Sequence, residues 1–174
     1  PVACPDDLDA WLRLLRTPDV GREPARRLLA ACGSPTTVFA TPPSTLRGLI
    51  GAPLATALAT PPDGHAEQCA LTEAWLDAEP LRHVLTIGEA AYPALLLQTA
   101  DPPLLLYAHG RLDLLDNPAL AVVGSRHPSA QGLDNARAFA LHLSRAGVTI
   151  VSGLALGIDG AAHEGSLATG TVAV

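Results

Sequence analysis

The chain has 174 residues, 48% of them hydrophobic and 16% charged, with a formal net charge of −6. This suits one or two folded domains with a real core, excludes a disordered polyelectrolyte and speaks against a general polyanion binder. No apolar run reaches the roughly 18–20 residues of a membrane helix. "PVACPDDLDA" lacks the basic-then-apolar order of a secretory signal, and Cys4, Cys32 and Cys69, odd in number and read as unmatched by nearby His, argue for a reducing cytoplasm rather than a disulfide frame or zinc site.

Charge is unevenly spread. Residues 11–60 carry six arginines against Asp19 and Glu23, residues 61–118 carry nine acids against Arg82 and Arg111, and residues 119–174 are balanced. Such asymmetry suggests separate modules, here a helical 1–62 and a sheet-bearing 63–174.

In chain order, "DDLDAWLRLLR" sets Leu8, Trp11, Leu12 and Leu15 at helical spacing. "TPDVGREPARRLLAACG" gives a turn, a Pro near a helix start, an apolar stripe of Ala25, Leu28 and Leu29, and a stop at Gly33. Further short helices follow, with Ser44 as an expected N-cap. A turn-rich Thr60–His65 then leads to a polar-faced helix ended by Pro80.

From Leu81 the period changes. "RHVLTIG", "PPLLLYAHG", "PALAVVGS", "GVTIVSG" and "TVAV" are strand candidates. "SAQGLDNARAFALHLSRAG", with Ala136, Phe139, Ala140 and Leu143 as its apolar face, and "GIDGAAHEGSLATG" are the helices between the last three. Strand, helix, strand, helix, strand over 55 residues predicts a βαβαβ unit with a parallel sheet covered on both faces.

Two bends, "VVGSRHPSAQG" and "VSGLALGIDGAAH", fall at the carboxyl ends of strands, where ligands of doubly wound sheets bind. Gly124-Ser125 and Ser152-Gly153 offer small residues before a helix N-terminus, whose unpaired N–H groups and partial positive charge attract anions. Arg126 adds a planar fork suited to phosphate. The pair reads as two adjacent phosphate cradles, although Gly after a strand (Gly153, Gly157) also serves as plain turn chemistry and Ser as a cap. Neither GxGxxG nor GxxxxGK[ST] is present, so no nucleotide cofactor is expected. Asp159 and His163 share a helix face; with Ser152 they evoke a catalytic triad, but no GxSxG elbow surrounds the Ser, and one Asp and one His lack the ligands for a metal. Asp159 is expected to stabilise its helix start, and His163 to bond locally or line the crevice.

These residues resemble the DNA processing protein A family (DprA, also called Smf), linked to natural transformation. The resemblance rests on "YPALL", "DPPLLLYAHG", "VVGSRHPSAQG" and above all "SGLALGIDGAAH". It implies an α/β protein, a SAM-type helical domain followed by an extended Rossmann-like parallel sheet. It also implies a non-catalytic protein that binds single-stranded DNA, shields incoming strands, helps load the RecA recombinase and dimerises at full length. On this reading Arg126 is a DNA-contacting residue. Gly124, Ser125, Ser152 and Gly153 flank the same pocket, and Gly157, Asp159 and His163 are mainly structural motif positions. Leu156 and Gln131 depart from the family pattern, and "TVAV" follows Gly170 about two residues early. Because the family continues past the third strand of this unit, the chain is expected to be part of a longer one, its sheet incomplete at the C-terminal side.

"TPDVGREPARRLL" also resembles a helix-hairpin-helix, with Asp19-Val20-Gly21 where Gly-x-Gly is usual. Arg22, Arg26 and Arg27 are candidate phosphate contacts there, against the alternative of a helical module for partner or self contact. An enzyme acting on a phosphorylated nucleoside, with Asp159 or Glu164 as acid or base, is the remaining alternative.

Overall fold

The computed structural model describes residues 7–174; Cys4 lies outside them. The chain divides into two compact units, meeting between Gly110 and Arg111.

The first unit is mostly helical: α1 (Leu8–Arg16), α2 (Arg22–Cys32), α3 (Pro35–Ala40), α4 (Pro43–Ile50), α5 (Ala52–Ala57) and α6 (His65–Ala78). The apolar stripes converge on a core of Trp11, Leu14, Val20, Leu28, Val38, Leu46 and Leu58. Burying side chains of this size contributes roughly 1.5–3 kcal/mol each. α2 ends where expected, at Gly33, whose φ of +88° closes the helix with its N–H on the Leu29 carbonyl. The expected cap at Ser44 is not formed: α4 begins at Pro43, and Ser44 lies inside it. Proline at the first helical position, with its fixed φ, starts that helix instead. Ser34 does the capping one helix earlier, accepting from Thr37 N–H at 3.2 Å.

Residues 63–110 group with these helices, although the sequence reading assigns them to the sheet domain. β1 (Arg82–Thr86) and β2 (Leu105–His109) pair antiparallel with each other, not with the parallel sheet. Val84 and Leu105 pack with Leu8, Leu12, Cys69 and Leu76.

The second unit carries the predicted alternation: β3 (Ala119–Ala121), α7 (Ala130–Arg145), β4 (Thr149–Ser152), α8 (Ile158–Ser166) and β5 (Thr171–Ala173). The three strands are parallel in the order β3-β4-β5, the Rossmann-like arrangement. α7 and α8 pack on each other and on β4, around Ala140, Ile150 and Ala162. Two departures stand out. β3 is exposed along its length, so the sheet is not covered on both faces there. Phe139 is 65% exposed and leaves the apolar face to Ala136, Ala140 and Leu143. Gly165 lets the two helices approach closely: a Cβ there would stand 2.3 Å from the Arg137 carbonyl and 3.2 Å from the Ala140 methyl. Ser129 caps α7, accepting from Gly132 N–H at 3.1 Å.

Candidate functional site

The β3–α7 and β4–α8 bends meet at the carboxyl ends of adjacent strands, as the order of the sheet requires. What joins them is Asp159, in the first turn of α8. Its Oδ1 accepts from Gly124 N–H and its Oδ2 from Gly153 N–H, each at 3.2 Å. The carboxylate is buried, and its charge is favourable at a helix N-terminus. Ile158 N–H donates to the Ser125 carbonyl at 3.1 Å. Gly157, with φ +87°, lies so close that a Cβ would sit 2.3 Å from the Ser125 oxygen. At this position both the dihedral and the contact require glycine.

This arrangement corrects the two-cradle reading. The Gly124 and Gly153 amides are not free for phosphate; Asp159 has taken both. Ser152, expected at the crevice, points inward: it is buried, and its hydroxyl donates to the Val122 carbonyl at 2.6 Å. As the last residue of β4 it lies on the same face as Ile150, which is also buried. Ser125 is exposed, and its hydroxyl accepts from His127 N–H at 3.0 Å. Asp159 therefore clamps two loops rather than serving its own helix start alone. His163 is buried and shares a 2.8 Å hydrogen bond with the Thr171 hydroxyl, and that hydroxyl donates to the Ile150 carbonyl. The Thr171 hydrogen being committed, His163 donates from Nδ1, a local bond as expected.

Arg126 projects from the clamped bend. It is exposed and has no hydrogen bond or ion pair to any described residue. The two bends also expose apolar side chains. Leu154 and Leu156 are 69% and 81% exposed, and Val123 is also exposed. Leu154 holds a left-handed φ of +55°, which costs a non-glycine residue roughly 1–2 kcal/mol. A Leu in "SGLALG" carries no sequence sign that it faces solvent. The two bends can thus offer one guanidinium, from Arg126, to an anion and exposed apolar side chains, from Val123, Leu154 and Leu156, to flat or aliphatic groups.

The two carboxylates weighed as acid or base are both engaged, Asp159 by the loop amides and Glu164 by Arg137 at 2.6 Å. The front arginines are engaged too. Arg22 and Arg26 both reach Asp101, at 3.1 and 2.5 Å. Arg27 pairs with Glu23 and donates to the Leu49 carbonyl at 3.2 Å. The hydrogen bond from Arg26, and after it the charges of Arg22 and Arg26, hold the Asp101 carboxyl below the usual range. Asp19 sits at a left-handed φ of +64° in the turn before α2.

The pattern of the DNA recombination-mediator protein A family matches residues 83–174, more than half of the chain. The chain belongs to that family. A DprA-like N-terminal HHH domain pattern matches residues 5–66, in keeping with the helical front. The recombination-mediator match covers both bends, with Arg126, Gly157 and Asp159. Similar proteins include Protein Smf of Escherichia coli, 43% identical over 100 residues, which covers 58% of this chain and 26% of that protein. The DNA processing protein DprA of Streptococcus pneumoniae is 45% identical over 91 residues, covering 51% of this chain and 32% of that protein. The X-ray structure of that same DprA superposes with a TM-score of 0.64 at 27% identity, over 95% of this chain and 56% of the other. The chain thus spans about a third or less of the length of the curated relatives it matches. No helix among the described residues is long and apolar enough to cross a membrane.

Proposed function

We propose that the bend bearing Arg126 grips the sugar–phosphate backbone of single-stranded DNA, as part of a non-catalytic protein acting in DNA processing. The observation that carries this is a guanidinium left exposed and unpartnered on a loop whose backbone is fixed from beneath by Asp159 and Gly157. Preorganisation matters because a loop already ordered loses little entropy on binding. The exposed amide end of α7 lies a few residues on and favours the same anion. Leu154, Leu156 and Val123 give unstacked bases an apolar surface, which a duplex would not present. The names of the family and of its relatives, a recombination mediator and DNA processing proteins, support this reading.

RecA as a partner, dimerisation of the full-length protein, a role in competence and a cytoplasmic location belong to the same proposal. So does a functional division near residue 62, which the separate matches at 5–66 and 83–174 support.

The test is fluorescence anisotropy of a labelled oligothymidine against the 174-residue chain at about 50 and 200 mM salt. Affinity should fall with salt, and Arg126→Ala should weaken binding at least about tenfold, as a charged hydrogen bond is worth roughly 1.5–3 kcal/mol. The variant's salt slope should flatten by about 0.7 for the lost phosphate contact. Binding that ignores both salt and Arg126 would overturn the proposal.

A further inference from the structure

Cys69 does have a histidine beside it. His65 and Cys69 stand one turn apart on the same face of α6, and Asp9 of α1 completes a cluster. His65 Nε2 is 3.0 Å from Asp9 Oδ1. Cys69 Sγ is 3.6 Å from the same oxygen and 3.7 Å from Nε2. A spacing of four residues was in view in the sequence, but Asp9, 56 positions from His65, was not.

We propose that Asp9, His65 and Cys69 form a binding site for a divalent zinc-type cation, with water in a fourth position. The geometry is what the chemistry asks. A tetrahedral ion with bonds of about 2.0–2.2 Å to N and O and about 2.3 Å to S needs donors roughly 3.3–3.6 Å apart. The three measured separations bracket that range, so the site closes on an ion with shifts of a few tenths of an ångström. One thiolate, one imidazole and one carboxylate are a borderline-soft set, suited to zinc and unsuited to magnesium or calcium. Their formal charge of −2 neutralises the ion.

The surroundings are consistent with this. The His65 side chain is only 11% exposed while that of Asp9 is 77% exposed, so one ligand is fixed and another is free to swing in. Cys69 is half-buried. Binding replaces the Sγ–H bond with an Sγ–metal bond, the proton passes to solvent, and bound waters leave the ion as the nitrogen and oxygen bonds form. The ion ties α1 to α6 directly, alongside the packing of Leu8 and Leu12 with Cys69 and Leu76.

The test is titration of cobalt(II) into the 174-residue chain. A near-ultraviolet thiolate-to-cobalt charge-transfer band should saturate at one equivalent and be bleached by zinc. Cys69→Ser should abolish the band, and His65→Ala and Asp9→Asn should each weaken binding at least about tenfold, with far-ultraviolet circular dichroism unchanged. In the unmutated chain, excess zinc should slow alkylation of Cys69 at least about tenfold. A chain that shows no band, or a band that survives Cys69→Ser, overturns the proposal. If Cys69→Ser fails to fold, the alkylation result decides alone, and unprotected Cys69 refutes the site.

Discussion

The helical front and the β3–α7 bend both carry arginine, but they use it in opposite ways. Five of the six front arginines are spent inside their own unit. Arg13 donates to the Leu58 carbonyl and lies 4.1 Å from the centre of the Phe39 ring, Arg16 reaches the Gly64 carbonyl, and Arg22, Arg26 and Arg27 meet acids. In the bend, one arginine has no partner among the described residues, while the Gly124 and Gly153 amides are held by Asp159 and the Ser125 carbonyl by Ile158 N–H. A positive stretch of sequence is therefore not a positive surface: nearby acids and carbonyls can consume it. A single guanidinium on a braced loop is the better-placed contact.

The comparison breaks most visibly at the brace. Gly157→Val should remove DNA binding and lower unfolding free energy by roughly 2–4 kcal/mol, since both the backbone angle and the 2.3 Å approach forbid a side chain. Chemical denaturation and anisotropy read the two losses. Asp159→Asn keeps one acceptor oxygen and loses one of two charge-assisted bonds, so a cost of roughly 1.5–3 kcal/mol is expected, measured as a lower thermal midpoint.

Arg126→Ala should leave stability within about 0.5 kcal/mol, as for other exposed positions, while affinity falls. A large stability loss would mean that the guanidinium is structural after all. Arg22→Ala and Arg26→Ala should change DNA affinity by less than about threefold, because both side chains already have partners; exposed pairs of this kind contribute little. A tenfold loss would move the interface to the front.

The smallest effect is a titration. Asp101 is held below the ordinary carboxylate range by Arg26 first and then Arg22. A depressed folded value gives stability that is present above the ordinary range and lost as pH falls through the folded value. In Arg26→Ala the Asp101 carboxyl should titrate higher, as followed by carboxyl carbon chemical shifts. No change would mean that the pair is not formed in solution.

Much of this fold was legible. All five strands and the stop of α2 at Gly33 follow from local pattern, because apolar runs and glycine act within a few residues. What was not legible depends on distance in sequence. Asp101 meets Arg22 across 79 positions, and Asp159 reaches Gly124 across 35. Neither partner announces itself locally. The close approach at Arg137 and Ala140 is set by Gly165 on another helix, and the inward turn of Ser152 by strand phase, on the side of Ile150. The antiparallel pairing of β1 with β2 was hidden for a similar reason: an apolar run looks alike in either direction.

One carboxylate holding two amides from different loops has a kinetic corollary. The Gly124 and Gly153 N–H groups give up protection through the same event, the departure of the Asp159 side chain. Their hydrogen–deuterium exchange rates should rise and fall in step across temperature and solvent, and anything that steadies one strand tip should slow both.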